Sequence, residues 1–91
     1  MFRLTTTRTI GGNATSSPAV TADSESRARQ AFEDAIEAAE QELNAPMMRH
    51  VGGRVEIFLE HCEGLFDGGD DIAWARIDRP LHSPTARIFR G

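Results

Sequence analysis

Lysine and tyrosine are absent from this chain, and cysteine and tryptophan each occur once. A lone cysteine, Cys62, excludes an internal disulfide and fits a reducing compartment. One Trp, five Phe and no Tyr make a thin aromatic supply for a core. A chain of this size buries roughly 60–65% of its unfolded surface, which leaves little room for an enclosed substrate pocket. Composition therefore argues against an enzyme. No apolar segment approaches a membrane span, and Met1 to Arg8 carries no secretory apolar region, so the reading is a cytoplasmic protein. The signatures of zinc, nucleophile and phosphate chemistry are missing as well: there is no CxxC, HxxxH, HExxH, GxSxG, Walker or dinucleotide glycine pattern.

What the chain does have is charge, sorted along its length. Between Asp23 and Asp71 thirteen carboxylates stand against four arginines, a local balance of −9. Residues 1–22 carry +2 and residues 72–91 carry +3, which brings the whole chain to −4. A surface built from the middle segment repels anions and attracts a basic partner.

Local patterning predicts a single α+β domain over residues 1–91. Residues 2–10 alternate and are rich in β-branched Thr, so they read as a strand; Gly11-Gly12-Asn13 breaks it, and the polar run to Pro18 reads as a loop. Thr21 or Asp23 is placed to cap a helix in which Ala28, Phe32, Ala35, Ile36, Ala39 and Leu43 form one apolar stripe. Asn44 and Pro46 end it, and Met47 to Gly53 is a connection with room for a short helical turn. Arg54 to Glu63 alternates, with Val55, Ile57, Leu59 and His61 on one face and Glu56, Phe58, Glu60 and Cys62 on the other. Ile72 to Arg79 is its hairpin partner. A turn centred near Asp67-Gly68 sets Glu60 opposite Arg76. Thr85 to Arg90 adds an edge strand after two prolines. The expected architecture is a two-layer β-α-β-β(-β) domain with one amphipathic helix packed on a small mixed sheet. One helix covers one face, so Phe58, Trp74, Phe2 or Leu4 on the other need a cover, and a second copy of the chain supplies one.

Three groupings bear on function. The helix sets Asp34 and Glu37 opposite its buried stripe with Glu33 and Glu40 at the margin. Glu33 and Glu37 repel at i, i+4, and Glu40 and Glu42 crowd the helix end whose dipole favours cations. A local rule broken without a local return marks a place where function can intrude; a solubilising face is the plainer alternative. Glu63 to Asp71 gathers four carboxylates around glycines, a set able to hold a hard cation, yet without the spacing of a calcium loop; turn chemistry accounts for it. His50, His61, Cys62 and His82 lack ligand spacing, and His61 and Cys62 point to opposite faces of a strand, which rules them out as a nucleophile–base pair. Arg76, Arg79, Arg87 and Arg90, with Arg3 and Arg8, would make one side of the sheet basic if the termini met there. The acidic pI of about 5.2 opposes direct nucleic-acid binding.

A very small, acidic, single-domain α+β chain with a Thr-rich first strand, an acidic helix and no catalytic motif resembles phage-encoded inhibitors, in particular the anti-CRISPR proteins. The resemblance is one of organisation across the whole chain and carries over no residue. It implies a non-enzymatic inhibitor, with no cofactor and no metal, that docks on the nucleic-acid-binding surface of a CRISPR effector complex. The partner-facing residues would be Glu33, Asp34, Glu37 and Glu40 on the helix and Asp67, Asp70 and Asp71 in the loop. The alternatives are a structural or assembly subunit that makes contact through the sheet face, an antitoxin-like regulatory partner, and a minor enzyme or metal protein built on the Gly64–Asp71 loop.

Overall fold

The threonine-rich segment forms the first strand, β1 (Phe2–Ile10), in a computed structural model that describes residues 1–63 and 70–91. Gly11 and Gly12, at φ of 59° and 84°, turn the chain through a two-residue loop. Positive φ at both central positions matches the strand twist of a tight hairpin and is open to glycine at no steric cost. The chain then runs back along β1 in two short pieces, β2 (Asn13–Ser16) on its second half and β3 (Val20–Ala22) on its first. The expected loop is thus an interrupted edge strand. Its small polar residues hid the period, and Pro18 falls in the interruption.

Helix α1 (Glu25–Leu43) follows, with Ser24 as its N-cap. The Ser24 hydroxyl accepts a hydrogen bond from the Arg27 amide at 3.2 Å, so neither Thr21 nor Asp23 is the cap. Ala28, Phe32, Ile36, Ala39 and Leu43 are buried on one stripe, as the periodicity requires. Asn44 closes the helix, and a 3-10 turn (Pro46–His50) leads to β4 (Gly53–His61). Gly53 matters here: a Cβ at that position would lie 2.9 Å from Leu43 Cδ2, so the missing side chain lets the helix end close on the sheet. β5 (Asp70–Arg79) pairs with β4, and β6 (Arg87–Arg90) forms the far edge.

The strand order is β2-β1-β4-β5-β6, with β3 beside β2 on the same side of β1, and every pairing is antiparallel. One helix on one sheet is the expected two-layer α+β arrangement, but the sheet is antiparallel throughout where a mixed one was expected. The physical reason is the β1–β3 return, which reverses the chain before the helix begins. The helix therefore links β3 to β4, which run the same way with β1 between them. At 19 residues it spans about 28 Å, close to the length of the nine-residue strands it crosses.

The core lies between the helix stripe and Leu4, Val55, Ile57, Leu59, Ala73, Ala75 and Ile77. Phe2 and Leu4 pair with His61 and Leu59 and so belong to the helix side, not to the uncovered face. Cys62, just past β4, is fully buried, whereas His61 is exposed and tilts against the Phe2 ring at 4.9 Å. These positions reverse the expectation of a core histidine and an outward cysteine, because regular alternation stops where β4 ends. The hairpin register also differs: Glu56 stands opposite Arg76 and Glu60 opposite Asp71, with a bulge between Leu59 and Glu60.

Candidate functional site

The helix stripe fixes which carboxylates face outward. Glu33, Asp34 and Glu37 are exposed on α1, and Glu40 is half-buried at the margin. Glu33 is bonded to Arg90 of β6, and Asp34 accepts a hydrogen bond from Gln30 Nε2 at 2.9 Å. Among the described residues, Asp34, Glu37 and Glu40 have no ion-pair partner. The ridge is therefore real but partly neutralised at its Glu33 end.

The crowding of acids at the helix C-terminus has a tertiary answer. Arg8 of β1 donates from Nε to both oxygens of Glu42, at 3.1 and 3.2 Å. Arg79 of β5 is 4% exposed and sits under the same helix end. Its guanidinium donates to the carbonyls of Leu43 (2.7 Å), Ala45 (3.0 Å), Ser83 (3.1 Å) and Pro84 (3.4 Å). A cation supplied from the sheet occupies the position that a lysine in the last turn would take, against the negative end of the helix dipole. Glu42 is thereby accounted for by folding, and the part of the ridge left for a partner narrows to Asp34, Glu37 and Glu40.

Asp70 and Asp71 are exposed at the start of β5. The ladders place them opposite His61 and Glu60, at the end of the sheet where β1 begins and β3 ends. The helix rises from that end toward Gly53, so the loop acids and the ridge form two separate groups rather than one patch. Asp67 lies outside the described residues, as do residues 64–69 of the proposed cation-binding loop. Among the described residues no three His, Cys, Asp or Glu side chains gather as a metal set. His50 and His82 meet edge-on with ring centroids 6.3 Å apart.

The second surface is the side of the sheet that α1 leaves open. The ladders put Arg3, Thr5, Thr7 and Thr9 of β1 on it, then Arg54, Glu56, Phe58 and Glu60 of β4, Trp74, Arg76 and Asp78 of β5, and Arg87 and Phe89 of β6. Trp74 and Phe89 are 38% and 39% exposed. Arg3 bonds Glu60 at 2.8 Å and Arg54 approaches Asp78 at 3.7 Å. The hydrogen bond to Glu60 holds the Arg3 guanidinium above its ordinary pKa, with the charge of Glu60 adding to the effect. Arg76 lies over the Phe89 ring, 4.6 Å from its centroid. At the Gly53 end the face deepens into an open depression of about 310 Å³ between Gly11-Gly12, Arg54, Asp78 and Leu81.

The arginines near the termini do not collect into one basic side. Arg3, Arg76 and Arg87 point to the open face, whereas Arg8, Arg79 and Arg90 serve the helix side. On the open face four arginines are matched by Glu56, Glu60, Asp71 and Asp78, which leaves no excess positive charge for a phosphate backbone. Sequence reasoning counted Arg79 among the surface arginines and missed its buried place under the helix end. The usable signal was a cation closing a strand whose pattern otherwise asks for an apolar residue at that position. Compared with known proteins, the chain matches no family model, no curated protein and no solved structure. Among the described residues, no helix is long and apolar enough to cross a membrane.

Proposed function

We propose that this chain is a non-enzymatic binding protein whose acidic helix face docks on a basic, nucleic-acid-binding protein and competes with the nucleic acid. The observation that carries the reading is the row of Asp34, Glu37 and Glu40 along α1, in which none of the three has an ion-pair partner among the described residues. A helix clamped at both ends, by Ser24 and by Arg79, holds these carboxylates in fixed order at little entropic cost on binding. Unpaired carboxylates in a row draw arginines and lysines of a partner and raise the rate of encounter. A CRISPR effector complex in a host cytoplasm is the target that the organisational resemblance suggests.

The test is capture on the immobilised protein, beside a variant carrying Glu33→Gln, Asp34→Gln, Glu37→Gln and Glu40→Gln. A partner that the protein holds at low salt, and that about 0.5 M salt, an added oligonucleotide or the variant each release, supports the reading. A partner retained through all three sinks it, since the ridge would then take no part in the contact.

A further inference from the structure

We propose that the open face of the sheet is the interface of a symmetric homodimer, with two copies stacked face to face about a two-fold axis that runs along the strands between β4 and β5. The inference does not rest on the proposed function, which concerns the opposite layer of the molecule.

The argument comes from what stands side by side on each rung of the β4–β5 ladder. Phe58 is opposite Trp74, Glu56 opposite Arg76, and Arg54 opposite Asp78. A two-fold axis between these strands lays β4 of one copy over β5 of the other and keeps the rungs in order. Each rung then meets its own complement: Phe58 over the partner's Trp74, Glu56 over the partner's Arg76, and Arg54 over the partner's Asp78. Isologous contacts demand such self-complementarity, and a face with a sign excess would fail the requirement. The rung that does not match, Glu60 with Asp71, lies at the rim, and Glu60 is already bonded to Arg3. Aligned sheets cross at about 30°, so agreement matters most near the centre, where the Phe58–Trp74 and Glu56–Arg76 rungs sit.

Two further observations point the same way. Trp74, beside half-buried Phe58, and Phe89, beside Arg76, stay more than a third exposed in the single chain. Arg76 keeps its guanidinium stacked on Phe89, and its Nε is buried without a hydrogen-bond partner among the described residues. A carboxylate arriving from above would meet the terminal nitrogens of this guanidinium. The overlap is modest: this axis lays β4 over the partner's β5 and β1 over the partner's four-residue β6 and leaves β2 and β3 outside, so about 26 residues at about 4.8 Å by 3.3 Å give about 400 Å² per copy in projection. Two copies bury about 800 Å² in projection, the size of a weak, reversible contact, so the affinity rests on the matched rungs and not on area.

The chain has one tryptophan, and it stands at the proposed centre, so wild-type protein reports on itself. Sedimentation over a dilution series up to about 100 µM should show a monomer–dimer transition, and iodide quenching of Trp74 should fall as the dimer fills. Glu56→Arg and Arg76→Glu, each alone, should weaken dimerisation by more than about tenfold, because like charges then meet across the axis. Mixing the two variants should restore a heterodimer, with Arg over Glu at both sites. A merely structural role for the rung would not produce that rescue. The double variant Glu56→Arg/Arg76→Glu, which keeps the rung paired within each chain, should fold and dimerise as the wild type does. A wild-type monomer throughout the series overturns the inference, and so does a dimer whose Trp74 remains fully quenchable. Either single variant dimerising as tightly as the wild type would also overturn it. None of these results bears on the ridge, whose capture assay reads the opposite layer.

Discussion

Arg79 shows how a single side chain can tie remote segments together. Its guanidinium joins the end of α1 at Leu43, Ala45 two residues beyond it, and the Ser83-Pro84 turn that leads to β6. A buried cation with no carboxylate partner among the described residues is tolerable because its donors meet several carbonyl oxygens in planar array. Lysine offers a point charge and no fork, so Arg79→Lys should recover little of what Arg79→Ala loses. Arg79→Ala should lower unfolding free energy in urea by about 2–4 kcal/mol, the range for stranding buried acceptors of a charged donor. Ser24→Ala, which removes one cap bond, should cost about 1 kcal/mol in the same assay. The raised pKa of Arg3 carries a sign that is easily worked out. A cation held above its ordinary value stabilises the fold at every pH below its unfolded pKa and loses that effect only as pH rises through its folded one. For arginine both lie in strong alkali, so this pair should leave stability flat between about pH 6 and 9.

At the scale of elements, the helix was the most legible part of the chain. Six apolar residues at helical spacing mark α1, and five of them are buried as the stripe requires. Its acidic outer face was legible too, but the partners of its acids were not, because Arg8 and Arg90 reach it from strands 34 and 57 residues away. β2 and β3 escaped detection for a different reason. Asn13-Ala14-Thr15-Ser16 carries no apolar alternation, since both its faces are exposed. The sign that could have revealed it was Gly11-Gly12 directly after an alternating run, a two-residue hairpin signal. Gly12→Ala tests that turn without a packing term, since an added Cβ would meet nothing within 4 Å. The left-handed φ alone should then cost about 1–2 kcal/mol. On the helix, Asp34→Gln and Glu37→Gln should leave stability within about 0.5 kcal/mol, because neither side chain has an ion pair to lose among the described residues. A larger drop in thermal unfolding would show that the ridge serves the fold.

Over the whole molecule, the balance of structure follows from which strands have neighbours. β4 pairs along its full length with β1 on one side and β5 on the other, and its inner residues Val55, Ile57 and Leu59 are wholly buried. Its amides should exchange with deuterium more slowly than those of β2 and β6, read by mass spectrometry or NMR. The charge sorting seen along the chain does not survive as sorting in space. Termini rich in arginine are folded against the acidic middle, so Arg3, Arg8 and Arg90 each meet one of its carboxylates. What the linear pattern could not convey is that both layers draw on the same charges, and that the open face comes out even.

The two edges of the sheet differ from its faces in one respect that bears on growth. The β2–β3 edge is broken between residues 17 and 19, where Pro18 offers no backbone donor. The β6 edge runs only from Arg87 to Arg90, with a cation at either end. Short, interrupted and charged borders resist the strand-to-strand templating that extends a sheet without limit. With stacking through the open face as proposed and no lengthening at the edges, assembly ends at a closed particle, so concentrated solutions should stay clear and free of thioflavin-positive fibrils.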